Sequence, residues 1–426
     1  MEGSRKRRRS DCDEAACFRY ATDFAGMDMV SFALRTWADL FTMIHVFASE
    51  CNSVARRVLL ANHRPRRVFH DVAQRNASDP EFRDLDLYAA GAPCQPWASG
   101  GQHLGLLDPR ASLLDHAISF IEQARPRRFL LENSALLRTT GRGRVFARLA
   151  NRLRAAGYIL EIFKANTADW GLPHFRTRLY VIGGRLDFVA EAYCRPTPLP
   201  DGLPWRLSLT DILAPRQLED SPAHLPPAPT AAQLVFRARQ RTGDIPEGAD
   251  WVVNQFQSVR FANGGRPRRL SPCLVHGMTR GYWVGSRGRE LSLPEACRLQ
   301  GLCAHQIHWV CTPPQAFGLL GNSMSLCVLE RLLATFMGER GRVMGPDRWL
   351  AGTAQQSLME DARGRTRGAG ARVAGRRRQT SLLSFVTRSA RRSVAGRASS
   401  PPAEEPSASS SVMRRTPAAD VGAGPD

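Results

Sequence analysis

Cys94 stands between two prolines, in Pro93-Cys94-Gln95-Pro96, with Gly100 and Gly101 close behind. The prolines stiffen the backbone, so the thiol is held firmly in front of a glycine-rich loop. A cysteine taken at random is a small buried hydrophobe, but a core does not need that neighbourhood. Downstream come a carboxyl, Glu132 in Glu132-Asn133-Ser134, and two guanidinium groups, Arg176 and Arg178 in Phe175-Arg176-Thr177-Arg178. A thiolate is a strong nucleophile, and a nearby arginine lowers its pKa. A carboxylic acid opposite it can donate a proton to a ring nitrogen, which makes the adjacent ring carbon electrophilic. Arginines can hold a carbonyl oxygen or a phosphate. They can also simply pair with acids at a sheet edge. A glutamate at a buried strand end is costly unless it has a task.

These groups meet only if the chain places them on one edge of one sheet. Short apolar runs predict strands at 20–24, 45–49, 67–72, 86–91, 128–132, 158–164 and 178–183. Amphipathic stretches at 54–61, 111–124 and 145–156 predict helices between them. Such alternation points to an α/β fold with a parallel, doubly wound sheet, whose ligands sit beyond the carboxyl ends of the strands. The fourth strand then delivers Cys94, the fifth Glu132, and the seventh begins at the two arginines.

The first three strand ends carry a second set. Asp23-Phe24-Ala25-Gly26 closes the first with a small glycine turn, where a ligand's polar tail can approach the backbone. Phe47-Ala48-Ser49-Glu50 ends the second with an acid suited to ribose hydroxyls. Phe69-His70-Asp71-Val72 ends the third with an acid suited to an exocyclic amine. Together they suggest a nucleoside cofactor, although an acid at a strand end is usually just solvated.

Composition narrows the class. Net charge is +20 and the sequence pI about 10.7. That balance argues for a polyanionic partner, most often nucleic acid; a GC-rich genome explains part of the arginine count but not the local runs. No apolar run reaches the ~20 residues that span a bilayer, so no membrane is expected. The basic stretch Met1–Arg9 lacks an apolar segment behind it and reads as a nuclear-import type patch rather than a secretory signal. Ten cysteines without a paired framework suggest a reducing compartment. The densest group, Cys297, Cys303, His305, His308 and Cys311, fits no common zinc spacing, and no metal is expected.

At this point the motif set resembles the DNA (cytosine-5)-methyltransferase family, of eukaryotic type with basic tails. The residues that carry the likeness are Asp23–Gly26, Phe47–Glu50, His70–Val72, Gly91–Trp97, Leu131–Ser134 and Gly171–Gly183, then Leu291–Gly301 and Gly321–Ser325. No single motif is decisive; their number and order are. The resemblance covers about Phe18 to Met337. It implies a Rossmann-like, S-adenosyl-L-methionine-dependent methyltransferase sheet with a smaller, irregular target-recognition domain. It also implies roles. Cys94 attacks carbon 6 of a cytosine flipped out of DNA. Glu132 acts at ring nitrogen 3 and the exocyclic amine, Arg178 binds the base carbonyl, and Arg176 helps place thiol and substrate. Asp23, Phe24, Gly26, Glu50, Asp71, Val72, Pro93, Asn322 and Ser323 bind the cofactor. The loop from Ala98 to about Arg110 closes as a lid.

The implied layout is a basic tail at 1–17, a catalytic domain at 18–193, a target-recognition region at 194–275, a return to the catalytic domain at 276–340, and a disordered Arg/Ser/Pro-rich tail at 341–426. Within that tail Gln379, Leu382 and Phe385, in the stretch 379–386, are similar to a peptide that docks on the replication sliding clamp. The expected location is the nucleus. Departures from the family pattern are Met27-Asp28-Met29 in place of two glycines, Cys51 in place of an aromatic or aspartate, and Ser134 in place of valine. Two rivals follow. One is a tRNA cytosine-5 methyltransferase, whose Cys-Phe-Thr motif is poorly matched by Cys273-Leu274-Val275. The other is a catalytically silent DNA-binding homologue.

Overall fold

The computed structural model describes residues 17–93, 111–188, 197–221, 225–226, 228–245, 249–255, 270–276, 281–338 and 347–364. Those residues belong to one compact unit within 1–366. Cys94, the loop from Ala98 to Arg110, the basic tail up to Ala16 and the stretch 379–386 lie outside the described residues.

Seven strands form the central sheet. They are β1 (Cys17–Asp23), β2 (Thr42–Ser49), β3 (Arg67–Phe69), β4 (Leu87–Ala90), β5 (Arg128–Ser134), β6 (Tyr158–Asn166) and β8 (Thr177–Arg185), and their order is β3-β2-β1-β4-β5-β8-β6. The neighbours from β3 through β5 pair in parallel. Strand β8 runs antiparallel to both β5 and β6. The reversal matters: it brings the start of β8 to the edge where β5 ends, with Ser134 opposite Arg178 and Glu132 opposite Tyr180.

Both sheet faces are buried, so side chains sort by parity. Leu87 and Ala89 of β4, Leu130 of β5, and Tyr180 and Ile182 of β8 join one core. Tyr88, Ala90, Phe129, Leu131, Leu179 and Val181 join the other. On that second face lie α3 (Ala111–Ala124) and α4 (Arg144–Ala155). Leu114, Ala117, Ile118 and Ile121 recur at helical spacing and meet Leu149 and Leu153. The first face is covered by α1 (Met29–Leu34) and by helices from the far end of the chain: α7 (Leu293–Leu299), α8 (Pro313–Asn322), α9 (Leu326–Gly338) and α10 (Thr353–Ala362). Helix α2 (Ser53–Asn62) starts with Asn52, whose side chain accepts from the Val54 and Ala55 N–H groups. Among the described residues no single helix is long and apolar enough to cross a membrane.

Helix α10 corrects the reading of everything beyond Gly341 as disordered tail. Trp349 is buried, donates its indole N–H to Glu330 at 2.8 Å, and packs with Ala354 and Leu358 in the first-face core. The Gly- and Arg-rich average hid one tryptophan and a short apolar repeat.

Between β8 and α7 the chain builds a smaller assembly. It holds α5 (Leu209–Ile212), α6 (Ala231–Arg241) and the three strands β9 (Val252–Asn254), β11 (Tyr282–Val284) and β12 (Arg289–Glu290), in the order β12-β11-β9. Its own core is Ala232, Phe236, Ile245 and Val253. Strands β9 and β11 fall on opposite sides of the expected boundary at 275, so that boundary cuts a sheet. Helix α5 goes the other way: Leu209 and Ile212 pack in the first-face core. A two-residue parallel pair, β7 (His174–Phe175) with β10 (Ser271–Pro272), joins the smaller assembly to the sheet edge.

Candidate active site

A cleft of about 320 Å³ opens at the carboxyl ends of β1, β2, β3, β4 and β5. Asp23, Phe24, Gly26, Glu50, Asp71, Val72, Pro93, Glu132, Arg176, Arg178, Asn322 and Ser323 all line it. Every candidate site residue inside the described stretches is therefore there. Cys94, outside them, follows Pro93 directly in sequence.

The turn after β1 is the most constrained part. Phe24, Gly26 and Asp28 all take left-handed backbone angles, with φ of 52, 59 and 61°. Two of those residues are not glycine, so the turn is strained. Asp28 holds it as the N-cap of α1: its carboxylate accepts from the Ser31 N–H at 3.2 Å and the Ser31 hydroxyl at 2.5 Å. The departure from the two-glycine pattern thus substitutes a self-capping acid for free backbone. Glu50 ties the turn to β2, accepting from the Gly26 N–H at 2.7 Å and the Asn52 N–H at 2.8 Å. A carboxylate has about four acceptor positions, so capacity remains for ligand hydroxyls. Asp71 is exposed and accepts from the Ala73 N–H at 2.9 Å. A β-carbon built on Gly26 would meet nothing within 4 Å. Open backbone at Gly26 with acceptors at Glu50 and Asp71 fits a nucleoside carrying a polar tail, which is the shape of S-adenosyl-L-methionine.

Asp23 lines the cleft with its carboxylate turned inward. Its carboxylate is buried and held by Arg75 (Nε to Oδ2, 2.9 Å) and by the Tyr88 hydroxyl at 2.5 Å. It locks the β1 terminus to β4 and to the turn after β3, with its oxygens engaged inside the protein.

Opposite the cofactor side, Glu132 Oε1 lies 3.2 Å from Arg178 Nε. Burial raises the Glu132 pKa; Arg178 and then Arg176 oppose this without cancelling it. The group therefore keeps its proton to higher pH than an ordinary glutamate, so the donor form is more populated. Arg176 is also more structural than expected. Its guanidinium is buried and donates to the carbonyls of Leu274 at 2.9 Å, Gly321 at 3.0 Å and Ser323 at 2.5 Å. It fastens the segment after β10 to the end of α8. The approach is close: a β-carbon on Gly321 would sit 2.4 Å from the Val275 carbonyl carbon. Ser323 donates its hydroxyl to Leu319 O at 2.8 Å, and Asn322 lies 3.2 Å from His276.

Sequence reasoning missed Cys273 as part of this neighbourhood. Its sulfur lies 3.4 Å from Arg176 Nη1 and 3.8 Å from Arg178 Nη2. Burial pushes its pKa up, but Arg176, Arg178 and His174 outweigh that and hold the thiol well below its ordinary value. His174 itself is kept neutral by burial, with Nε2 accepting from the Leu274 N–H at 3.0 Å. The only sequence signal was its place in the poorly matched Cys-Leu-Val triplet. Asp28, Arg75 and Tyr88 gave no motif signal beyond the noted departure. Elsewhere, Cys303, His305 and Asp361 cluster with ligand atoms within 4.8 Å. Asp361 is already paired with Arg298 at 2.8 Å, and burial pushes the Cys303 thiol to about 12. Both features oppose a cation there.

A sequence model described as C-5 cytosine-specific DNA methylase matches residues 21–337. Among curated proteins, the Type II methyltransferase M.HaeII of Haemophilus aegyptius is 32% identical over 316 residues, covering 74% of this chain and 91% of that protein. The Type II methyltransferase M.NgoBI of Neisseria gonorrhoeae is 35% identical over 151 residues, covering 35% of this chain and 46% of that protein. The match with M.NgoBI thus spans under half of that relative's length. Among solved structures, S. pombe Dnmt2 methyltransferase superposes with a TM-score of 0.55 at 18% identity, covering 76% of this chain and all of that one. At that identity the likeness speaks for the fold. The expected nuclear location is overturned: the curated relatives are bacterial Type II methyltransferases, from cells with no nucleus. A basic run such as Met1–Arg9 reports attraction to polyanions, and import is only one use of that.

Proposed function

The chain belongs to the family of C-5 cytosine-specific DNA methylases, which take their methyl group from S-adenosyl-L-methionine, and we propose that it methylates a cytosine turned out of the DNA helix through a covalent Cys94 adduct. The Glu132–Arg178 pair, facing the Glu50–Gly26 cradle across one cleft, carries this reading. Cys94 Sγ attacks carbon 6 of the ring and forms the S–C bond. Glu132 delivers a proton toward ring nitrogen 3, so the electron pair from the carbon 5–carbon 6 double bond becomes available at carbon 5. Arg178 holds the ring carbonyl oxygen and orients Glu132. S-adenosyl-L-methionine, when bound, supplies an electrophilic methyl group to carbon 5. Loss of the carbon 5 proton then expels the Cys94 thiolate, and return of the nitrogen 3 proton to Glu132 restores the ring. On the cofactor side, Glu50 accepts from ribose hydroxyls and Asp71 from the adenine amine. Asp28 and Glu50 hold the turn that receives the methionine end.

The deciding experiment incubates the protein with methyl-labelled S-adenosyl-L-methionine and, separately, unmethylated DNA, hemimethylated DNA and total tRNA, with Cys94→Ser alongside. Label in DNA that vanishes in the variant is the expected outcome. Label confined to tRNA refutes the DNA reading. Cofactor binding without transfer to any substrate refutes the catalytic one. The stretch 379–386 is proposed to dock on a replication sliding clamp; failure of a 374–392 peptide to bind where a standard clamp peptide binds refutes that.

A further inference from the structure

A run of arginines with no ion pair among the described residues leaves the sheet beside this site. Strand β5 ends at Ser134, opposite Arg178. The chain continues through a short 3-10 turn, Ala135–Arg138, and a kinked turn at Thr140–Gly143 into α4. Arg138, Arg142, Arg144 and Arg148 are all exposed along this path. Among the described residues none of the four forms an ion pair, and Arg144 Nε donates to Gly141 O at 3.3 Å. One turn further on, the pattern changes. Arg152 pairs with Asp115 and with Glu122, each at 2.7 Å. The acids of α3 therefore neutralise Arg152, while Arg144 and Arg148 nearer the start of α4 form no ion pair among the described residues.

Two local rules are broken at the start of α4, and both point outward. The first turn of α4 has no acid. Arg144 and Arg148 sit near the positive end of the helix dipole, where cations are disfavoured. Gly141, Arg142 and Gly143 are all left-handed, with φ of 60, 58 and 80°. Glycine adopts that conformation freely, whereas an arginine there strains the backbone. An arginine standing where glycine would relax the turn points to a use for its side chain. Arg144 and Arg148, four residues apart, share a helix face with a separation of about 6 Å. Phosphates recur about every 3.4 Å of axis along one strand of duplex, so the pair can reach phosphates one or two steps apart.

We propose that Arg138, Arg142, Arg144 and Arg148 form a phosphate-gripping ridge that holds the DNA backbone beside the cytosine being methylated. The inference rests on the DNA reading above. It is tested on the full chain by titrating a labelled DNA duplex over a range of salt concentrations. The quadruple Arg→Gln variant at the four positions should bind at least about tenfold more weakly at low salt, with a log–log salt slope shallower by up to about 3.6, from roughly 0.9 per lost phosphate contact. Its affinity for S-adenosyl-L-methionine should not change. Arg142→Gly should raise the melting temperature while weakening DNA binding, a divergence that a purely structural role does not produce. Wild-type affinity and slope in the quadruple variant overturn the ridge while leaving the function intact. A wild-type protein that transfers no methyl group to DNA and binds no duplex overturns both.

Discussion

Asp23 offers a sharp test of the difference between lining a site and serving it. Its carboxylate and the Arg75 guanidinium are 0% and 4% exposed, and the Tyr88 hydroxyl donates to the same carboxylate. Asp23→Asn keeps the shape and removes the charge, which leaves Arg75 buried without a counter-ion. Breaking a buried pair from one side costs about 3–5 kcal/mol. At a urea m-value of about 3 kcal/mol/M, the unfolding midpoint should fall by about 1–1.7 M with m unchanged. Tyr88→Phe removes only the hydroxyl donor, a hydrogen bond to a charged group, and should cost about 1.5–3 kcal/mol. The assay is urea unfolding followed by tryptophan fluorescence, with calorimetry of S-adenosyl-L-methionine binding on the folded protein below the transition. Cofactor affinity should be little altered in Asp23→Asn, because the carboxylate is engaged inward. A variant with the wild-type midpoint and lost cofactor binding would refute this reasoning and return Asp23 to the cofactor's ligands.

The remaining expectations concern chemistry and the joint behind it. Glu132→Gln should slow methyl transfer about 10²–10⁴-fold in single turnover while leaving cofactor affinity intact. Because burial raises the Glu132 pKa against the pull of Arg178 and Arg176, the donor form survives to higher pH than for a free glutamate. The chemical step should therefore weaken as pH rises through that raised value, and this limb should vanish in Glu132→Gln. Gly321→Ala drives a methyl into the Val275 and His276 backbone and should lower stability by about 1–3 kcal/mol, measured by thermal melting, with looser cofactor binding. Arg176→Met should unfold earlier in urea than wild type, since three carbonyls lose their donor. Arg178→Met should instead lose transfer rate with less effect on the midpoint; the opposite ranking would reverse the division of labour between the two arginines.

Much of this was legible along the chain because it is local. Seven largely apolar runs mark the seven strands, since a sheet covered on both faces demands mostly apolar stretches of strand length. The strand ends Asp23–Gly26, Phe47–Glu50, Phe69–Val72 and Glu132–Ser134 could be marked as site residues because ligands in such sheets meet the carboxyl ends of strands. Helix α3 matched its expected span of 111–124 because its apolar residues recur at one period throughout. Helix α10 was missed because composition averages over a window, whereas Trp349 acts alone by filling a hole in a core built from distant segments.

Other features depend on which residues meet in space. Nothing local says that Asp23 faces Arg75 from 52 positions away, or that Arg176 reaches Leu274 and Gly321 across 98 and 145 positions. The side-chain types announced an acid and an arginine; tertiary packing assigned one to the fold and left Glu132 and Arg178 to the cleft. Cys273 is the plainest case. Its own neighbours mark an ordinary half-buried thiol, and only the approach of Arg176, Arg178 and His174 lowers its pKa. Charge interactions act through distance and desolvation rather than along the chain. The order of residues therefore announced which chemistry was at hand, and the fold decided which groups were free to perform it.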